Sequence, residues 1–305
     1  MPLFDLSDRI KLRLRGNDRL RFLSGQVTND VRKANANLSM AACVLNAKGR
    51  LEALVYINLE SDAFLLDAEP ELKATLQPRF ERYLIADDVV IEDVSDELAL
   101  FHLVRETPVL PNDYKWRRSK RFGLAGWDLF AAAAEHERIR QILGAEEVFL
   151  DAESTEQFRI EQGIPRWGRE LTNEIIPIEA NLEAEAIDYT KGCYIGQEVI
   201  SRMKMSGQTN KRLCGLISLH DASLANGMRL TTIGEESKEV GWITSAIRSR
   251  RLEKKIALGF VKRGYNSICS LESGERRGAD LDALARENPF SSPRARVRVV
   301  PVPFV

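Results

Sequence analysis

The sequence predicts an α+β chain that becomes mostly β toward its C-terminus. Two observations predict it. In the first half, short runs of alternating apolar residues are interleaved with stretches whose apolar residues recur at helical spacing. From Leu213 onward only β-like runs stand out, separated by Gly, Asn and Ser, the pattern of an antiparallel barrel or sandwich.

Ile10, Leu12 and Leu14 alternate as a strand does, and Gly16-Asn17-Asp18 closes it. Arg19 to Ser24 reads as a helix that leads into Gly25-Gln-Val-Thr-Asn-Asp30. Ala41 to Leu45 and Leu51 to Leu59 form two strands across a turn at Asn46-Ala-Lys-Gly49, and Ala63 to Leu66 adds a third. Leu72, Leu76, Phe80 and Leu84 recur at helical spacing, which predicts a helix over Glu71 to Leu84. Val89 to Val94 and Leu98 to Val104 read as strands, and residues 105 to 119, with Pro108 and Pro111, as a long loop. Trp127 to Ala131 is strand-like and Glu135 to Leu143 helical. Ser154 is placed to cap a helix that contains Phe158 and Ile160 and ends at Gly163. The later strands fall at Leu213 to Leu219, Val240 to Ile247, Ile256 to Val261 and Val297 to Val300, with a polar insertion at residues 272 to 293. No internal repeat is present.

A chain of 305 residues has room for two or three domains with their own cores. Its net charge of -1 excludes a polycation for nucleic acid and an acidic tail protein. No apolar run reaches the ~18 residues of a membrane span, and the start Met-Pro-Leu-Phe-Asp-Leu lacks the regions of a signal peptide. A cytoplasmic protein is the expectation. Cys43, Cys193, Cys214 and Cys269 are widely spaced, which argues for a reducing compartment and against a disulfide framework or a zinc knuckle. His102, His136 and His220 form no spaced pair, so no metal site is expected.

The stretch richest in chemistry is Lys191-Gly-Cys-Tyr-Ile-Gly-Gln-Glu198. Its glycines allow a tight turn and a close approach. Ile195, Val199 and Met203 fall at i, i+4 and i+8, so a helix is expected to start near Gly196. Cys193 would then precede a helix N-terminus and lie two residues from Lys191, both of which favour a thiolate; the alternative is an ordinary half-buried cysteine in a Gly-rich turn. Between Tyr189 and Gly215 five cations (Lys191, Arg202, Lys204, Lys211, Arg212) face one acid, Glu198. Such a patch suits an anionic ligand or serves as a solvated face, and Arg202 to Arg212 reads as an exposed link. Glu179 sits in the apolar segment Ile176-Pro-Ile-Glu-Ala-Asn-Leu182 and needs a partner. A pterin edge with adjacent N–H donors is one, and an ion pair with Arg166 or Arg169 is the other.

Gly25 to Asp30, Lys48-Gly-Arg50, the Asp93 to Asp96 region, Arg159-Ile-Glu-Gln-Gly163, Pro177-Ile-Glu-Ala180, Lys191 to Glu198, Gly241-Trp-Ile-Thr-Ser245 and Ala257-Leu-Gly-Phe260 follow one another in the order of the YgfZ/GcvT family. The chain resembles that family over nearly its whole length, and the Lys-Gly-Cys-Tyr-x-Gly-Gln-Glu string resembles its YgfZ branch rather than the aminomethyltransferase T-proteins. The resemblance implies a T-protein-like, three-domain ring with a central channel. It divides the chain into 1–50 plus 150–205, 51–149 (ferredoxin-like) and 206–305 (the barrel). It implies tetrahydrofolate as cofactor and transient partnership with iron–sulfur client proteins or their assembly machinery, with no nucleic acid, no membrane and a monomeric chain. Glu179, Arg212, Tyr194, Asp30 and Trp167 are carried over as folate-binding positions, and Cys193 as the functional thiol beside Lys191. The transferases carry an aspartate pair where this chain has Glu52 and Ala53, which puts aminomethyl transfer in doubt. One-carbon transfer or demethylation stays as the alternative, with Glu52 supplying a carboxylate if the strand register shifts by one. Trp127 and Trp242 read as core residues.

Overall fold

The computed structural model describes residues 1–107, 114–234, 236–266, 279–284 and 295–305. It divides into two compact units, Met1–Ala152 with Leu182–Arg202, and Glu153–Asn181 with Met203–Val305. The chain is α+β, and its C-terminal strands close into a barrel rather than a sandwich.

The first unit holds two five-stranded sheets. One runs in the order Val148–Phe149, Pro2–Asp5, Leu98–Leu103, Gly126–Ala132, Trp116–Ser119. The other runs Ser39–Leu45, Leu51–Leu59, Phe64–Ala68, Ile10–Arg15, Val90–Asp93. They meet at their edges, where Leu38 bridges Arg118 in parallel and the Arg118 amide donates to Asn37 O at 2.7 Å. Side chains alternate across each strand. In the first sheet Leu3, Phe101, Leu103 and Leu129 pack with Ile139 and Leu143 of the helix His136–Gly144. The residues between them in the strands, Phe4, His102 and Asp128, point the other way.

That other face is polar and dry. Arg121 donates from Nε to Asp128 (2.8 and 2.9 Å) and from its two terminal nitrogens to Asp67 (2.8 and 2.7 Å). Asp67 and Asp128 belong to different sheets, so one guanidinium clamps both. It also lies 4.0 Å over the Tyr56 ring, and Arg9 adds a 2.6 Å bond to Asp67. Burial alone would push Asp128 up, but Arg121 and the His102 Nδ1–H at 2.7 Å hold it far below the usual carboxylate range. Burial pushes His102 down from its ordinary value, which keeps the ring neutral. Gly126 is required here, since a Cβ would come within 2.6 Å of His102 Cε1.

In the second unit the helix Ala152–Glu161 lies with the barrel, whose strands order Lys211–Ser218, Lys254–Lys262, Glu239–Ser249, Arg229–Thr231, Asp280–Leu284, Ala295–Val300 and back. Cys214, Leu216, Leu230, Val240, Ile243, Leu281 and Val297 fill it. Arg159 joins helix to barrel, donating to Glu170 at 3.1 Å and to Ser245 Oγ at 2.7 Å.

Several expectations are corrected. Ser154 lies inside the helix that starts at Ala152 and does not cap it. The helix expected over Glu71 to Leu84 is a 3₁₀ turn, Pro70–Leu72, and a short helix, Leu76–Glu81, because Pro78 in its second turn supplies no amide to bond backward. Pro2–Asp5 and Arg229–Thr231 are strands that the apolar pattern did not mark, each too short to alternate visibly. Trp116–Ser119, expected in a loop, pairs as an edge strand, and Pro108 and Pro111 of that loop lie outside the described residues. Asp280–Leu284, expected inside an insertion, is a barrel strand, and residues 272–278 and 285–293 lie outside the described residues. Arg202 to Arg212 is exposed over most of its length, as expected, though it begins as a helix end and finishes as a strand start, with 207–210 linking the two. Cys214 is disulfide-bonded, against the expectation drawn from cysteine spacing.

The clamp yields a prediction. Arg121→Met leaves buried Asp67 only Arg9 and buried Asp128 only His102, and is expected to lower unfolding stability by about 3–5 kcal/mol in urea titrations. A loss under about 1 kcal/mol would mean that water already reaches the seam.

Candidate functional site

Three sequence-distant segments converge in the first unit. Lys191 turns its amine inward to donate to Ser24 O at 2.6 Å and Val27 O at 2.5 Å, carbonyls at the end of the helix Arg19–Gln26. The Ile195 amide donates to Gly25 O at 3.1 Å. Gly196, at φ +83°, lets the backbone press on the Asn46–Gly49 turn, where a Cβ would meet Asn46 O at 2.6 Å. The helix Gln197–Ser206 then begins, and its Val199 packs on Gly49.

Thr28 ties the same region from below, donating to Ala186 O at 2.6 Å and accepting from the Cys43 amide at 2.8 Å. The result is a loop fixed on both sides of Cys193, with Cys193 itself exposed. Cys43, the other free cysteine, is buried and its thiol pushed up to about 12, so Cys193 is the thiol open to reagents.

Lys191 is mainly desolvated, which lowers its amine to about 8 despite Asp30 and Asp188. The amine also lies 4.9 Å over the buried Tyr194 ring. Its bonds go to backbone carbonyls, so its place in the structure is that of an anchor for the loop. Asp30 is buried, accepts from Arg32 at 2.8 Å and caps the 3₁₀ turn Val31–Lys33; the Arg32 bonds hold its carboxyl below the ordinary range.

In the second unit Glu179 is buried within the 3₁₀ turn Pro177–Ala180. Its Oε2 accepts from the Ile176 amide at 3.2 Å and pairs with Lys211 Nζ at 3.4 Å. Lys211 stands 5.6 Å from the Trp242 ring and 5.8 Å from that of Phe260. Glu179 Oε1 accepts no hydrogen bond among the described residues. Arg212 Nε donates to Asn181 Oδ1 at 2.6 Å, and Asn181 Nδ2 to Leu213 O at 3.0 Å. The expected partner of Glu179, Arg166 or Arg169, is corrected to Lys211: Arg166 pairs with Glu156 at 3.3 Å. Trp167 is half-buried in a turn, bridged to Leu171, and Trp127 and Trp242 are half-buried as well rather than core. Of the five cations, Lys191, Lys211 and Arg212 turn to internal partners, while Arg202 and Lys204 are exposed.

Comparison with known proteins now has a fold and a geometry to meet. The model of the glycine cleavage T-protein C-terminal barrel domain matches residues 211–305. The chain is 27% identical to an aminomethyltransferase of Shouchella clausii over 94% of its length and 86% of that protein. It is 25% identical to the tRNA-modifying protein YgfZ of Yersinia pestis, covering 81% of each. The crystal structure of the glycine cleavage system aminomethyltransferase T of Bartonella henselae superposes with a TM-score of 0.82 over the whole chain and 86% of that protein, at 17% identity. The chain is thus similar to YgfZ and to the aminomethyltransferases, and its fold is that of the T-protein.

The chain departs from free acid–base chemistry at Glu52 and Ala53. The hairpin register slips there, with Val44 opposite Ala53 and Leu45 opposite Leu51, so Glu52 is the extra residue of a β-bulge. Its carboxylate pairs with the buried Arg79, which also donates to Gln26 Oε1 and Leu45 O, each at 2.8 Å. Ala53 is fully buried. Arg79, Asn181 and Lys211 escaped the sequence reading. Asn181 alone left a signal, as an Asn at the left-handed position that ends a helical turn, φ 61°.

Lys191 generates a pH prediction. The unfolded lysine binds its proton up to about 10.5 and the native one only to about 8, so between these the unfolded state holds more protons. Stability contributed at this position therefore rises with pH through that window. Urea titrations of the native chain and Lys191→Met from pH 7.5 to 10 are expected to diverge in favour of the native chain, and a pH-independent difference would contradict the assignment.

Proposed function

We propose that this chain is a tetrahydrofolate-binding accessory protein that supports synthesis or repair of iron–sulfur clusters in client enzymes, with Cys193 as its working thiol. The observation that carries the reading is the presentation of Cys193: a fixed loop built from segments far apart in sequence holds one thiol at the surface. A loop that served only packing would have no reason to expose it. The YgfZ relative supports the same branch.

For the folate, Glu179 fits the part. Its Oε1 is left to accept from the N–H edge of a pterin, while Oε2 is held by Ile176 and Lys211. Trp242 and Phe260 stand near Lys211 as flat apolar surfaces. Arg212 and Trp167, in the same unit as Glu179, remain proposed contacts. Bound tetrahydrofolate would supply a one-carbon carrier. The chain's residues orient it, and the buried Ala53 and ion-paired Glu52 leave aminomethyl transfer without a free acid at that position. This favours accessory function over the transferase or demethylase alternative.

The Yersinia relative is described as tRNA-modifying. With a net charge of -1 the chain as a whole is no polycation, and any such role here is proposed to pass through a client enzyme. We place the chain in the cytoplasm as a monomer, and no described helix is long and apolar enough to cross a membrane.

Isothermal titration with tetrahydrofolate tests the reading. Binding in the micromolar range is expected, weakened about tenfold or more in Glu179→Gln, which loses a charged acceptor. No heat at high micromolar folate, or equal affinity in the variant, would overturn it.

A further inference from the structure

The charge of the chain is unevenly divided. The second unit carries 21 Lys and Arg against 16 Asp and Glu, a net +5, whereas the first carries 23 against 29, a net -6. Much of that surplus sits at one hairpin tip, where the strands Glu239–Ser249 and Lys254–Lys262 turn. Between Arg248 and Lys255 five cations meet one acid, Glu253. Two of the five are occupied in holding the tip. Arg248 Nη1 donates to both Asp221 carboxylate oxygens at 2.8 Å, and Lys255 Nζ donates to Asp221 O at 2.9 Å and Ser223 Oγ at 3.3 Å. Arg250 comes only within 4.0 Å of Glu153, and both side chains are largely exposed. Arg251 and Lys254 are exposed, with neither an ion pair nor a side-chain hydrogen bond among the described residues.

Beside the tip lies a groove of about 710 Å³, lined by Glu153 and Gln157 of the helix Ala152–Glu161 and by Ile247, Arg248, Arg250 and Glu253 of the hairpin. The buried Glu161 carboxylate ties its two walls together. Glu161 Oε1 accepts from Ser249 Oγ at 2.5 Å and from Gln157 Nε2 at 3.1 Å. Ser249 Oγ in turn accepts from the Leu252 amide at 3.1 Å, which fixes the turn. The groove is therefore preformed, and a ligand seated there has little of the protein left to order.

We propose that tip and groove together dock an extended acidic segment of a partner protein. Its carboxylates meet Arg251 and Lys254, which no described acid pairs, and Arg250, whose contact with Glu153 is loose. Complementary charge of this kind sets the choice of partner and the rate of encounter. The acids of the groove select a peptide over a phosphate chain. Glu153 and Glu253 can accept from the amide N–H groups of an extended peptide, whereas a phosphate backbone sets further anions against them. No described aromatic ring lines the groove for bases to stack on, and Ile247 gives it an apolar strip for the side chains between the carboxylates. The site involves neither Cys193 nor Glu179, and it stands or falls independently of folate.

The test is fluorescence anisotropy of a fluorescein-labelled peptide of alternating glutamate and alanine, titrated with the full chain at low salt. Saturable binding is expected, weakened by added sodium chloride because the contacts are exposed ion pairs. Arg251→Glu is expected to weaken it about fivefold or more. Lys238→Glu, the same charge change at the far end of the same hairpin, is expected to leave it unchanged. Both residues are exposed, so neither variant disturbs the core. A single-stranded oligonucleotide of equal charge is expected to bind more weakly than the peptide. No saturable binding of the peptide, equal effects of the two variants, or tighter binding of the oligonucleotide would overturn the proposal.

Discussion

The buried amine of Lys191 is the contact on which the chemistry of this molecule depends. By donating to Ser24 O and Val27 O it closes the loop 191–198 onto the end of the first long helix. Two carbonyls left bare in that place would each cost about 1–3 kcal/mol, so the loop has one stable seat. Gly196 secures the opposite side by pressing backbone on backbone against Asn46. Between these two fixtures only Gly192 and Cys193 face outward. The electrostatic work of the lysine is therefore indirect: it holds the loop that carries the thiol.

Buried polarity recurs as a building device elsewhere. The Arg121 clamp joins two sheets whose facing sides are polar rather than oily, and the Arg159–Glu170–Ser245 cluster joins helix to barrel in the second unit. Such clusters are geometrically demanding and specify one arrangement at some expense in stability. They also explain why apolar content alone underestimates the order in this chain.

Much of this was legible beforehand. Strands such as Ile10–Arg15 and Leu51–Leu59 show their alternation openly, and the helix after Gly196 announces itself by Ile195, Val199 and Met203. The signature string falls on a loop whose Gly196 is needed for the close approach to Asn46. What stayed hidden depends on partners far away in sequence. Lys211 meets Glu179 only because the strand starts beside the 3₁₀ turn. Glu52 sits out of the ladder through a bulge that no propensity marks. Asp280–Leu284, with Asp280 and Asp282 among its five residues, is too short and too acidic to signal a barrel strand.

The account rests on the exposed thiol of a fixed loop being the working group. The most direct measurement is the activity of an iron–sulfur enzyme in extracts of cells deleted for this chain and supplied with either the native protein or Cys193→Ala at equal, soluble levels. The account predicts restored activity with the native chain and none above the deletion background with the variant. Equal restoration by both would contradict it.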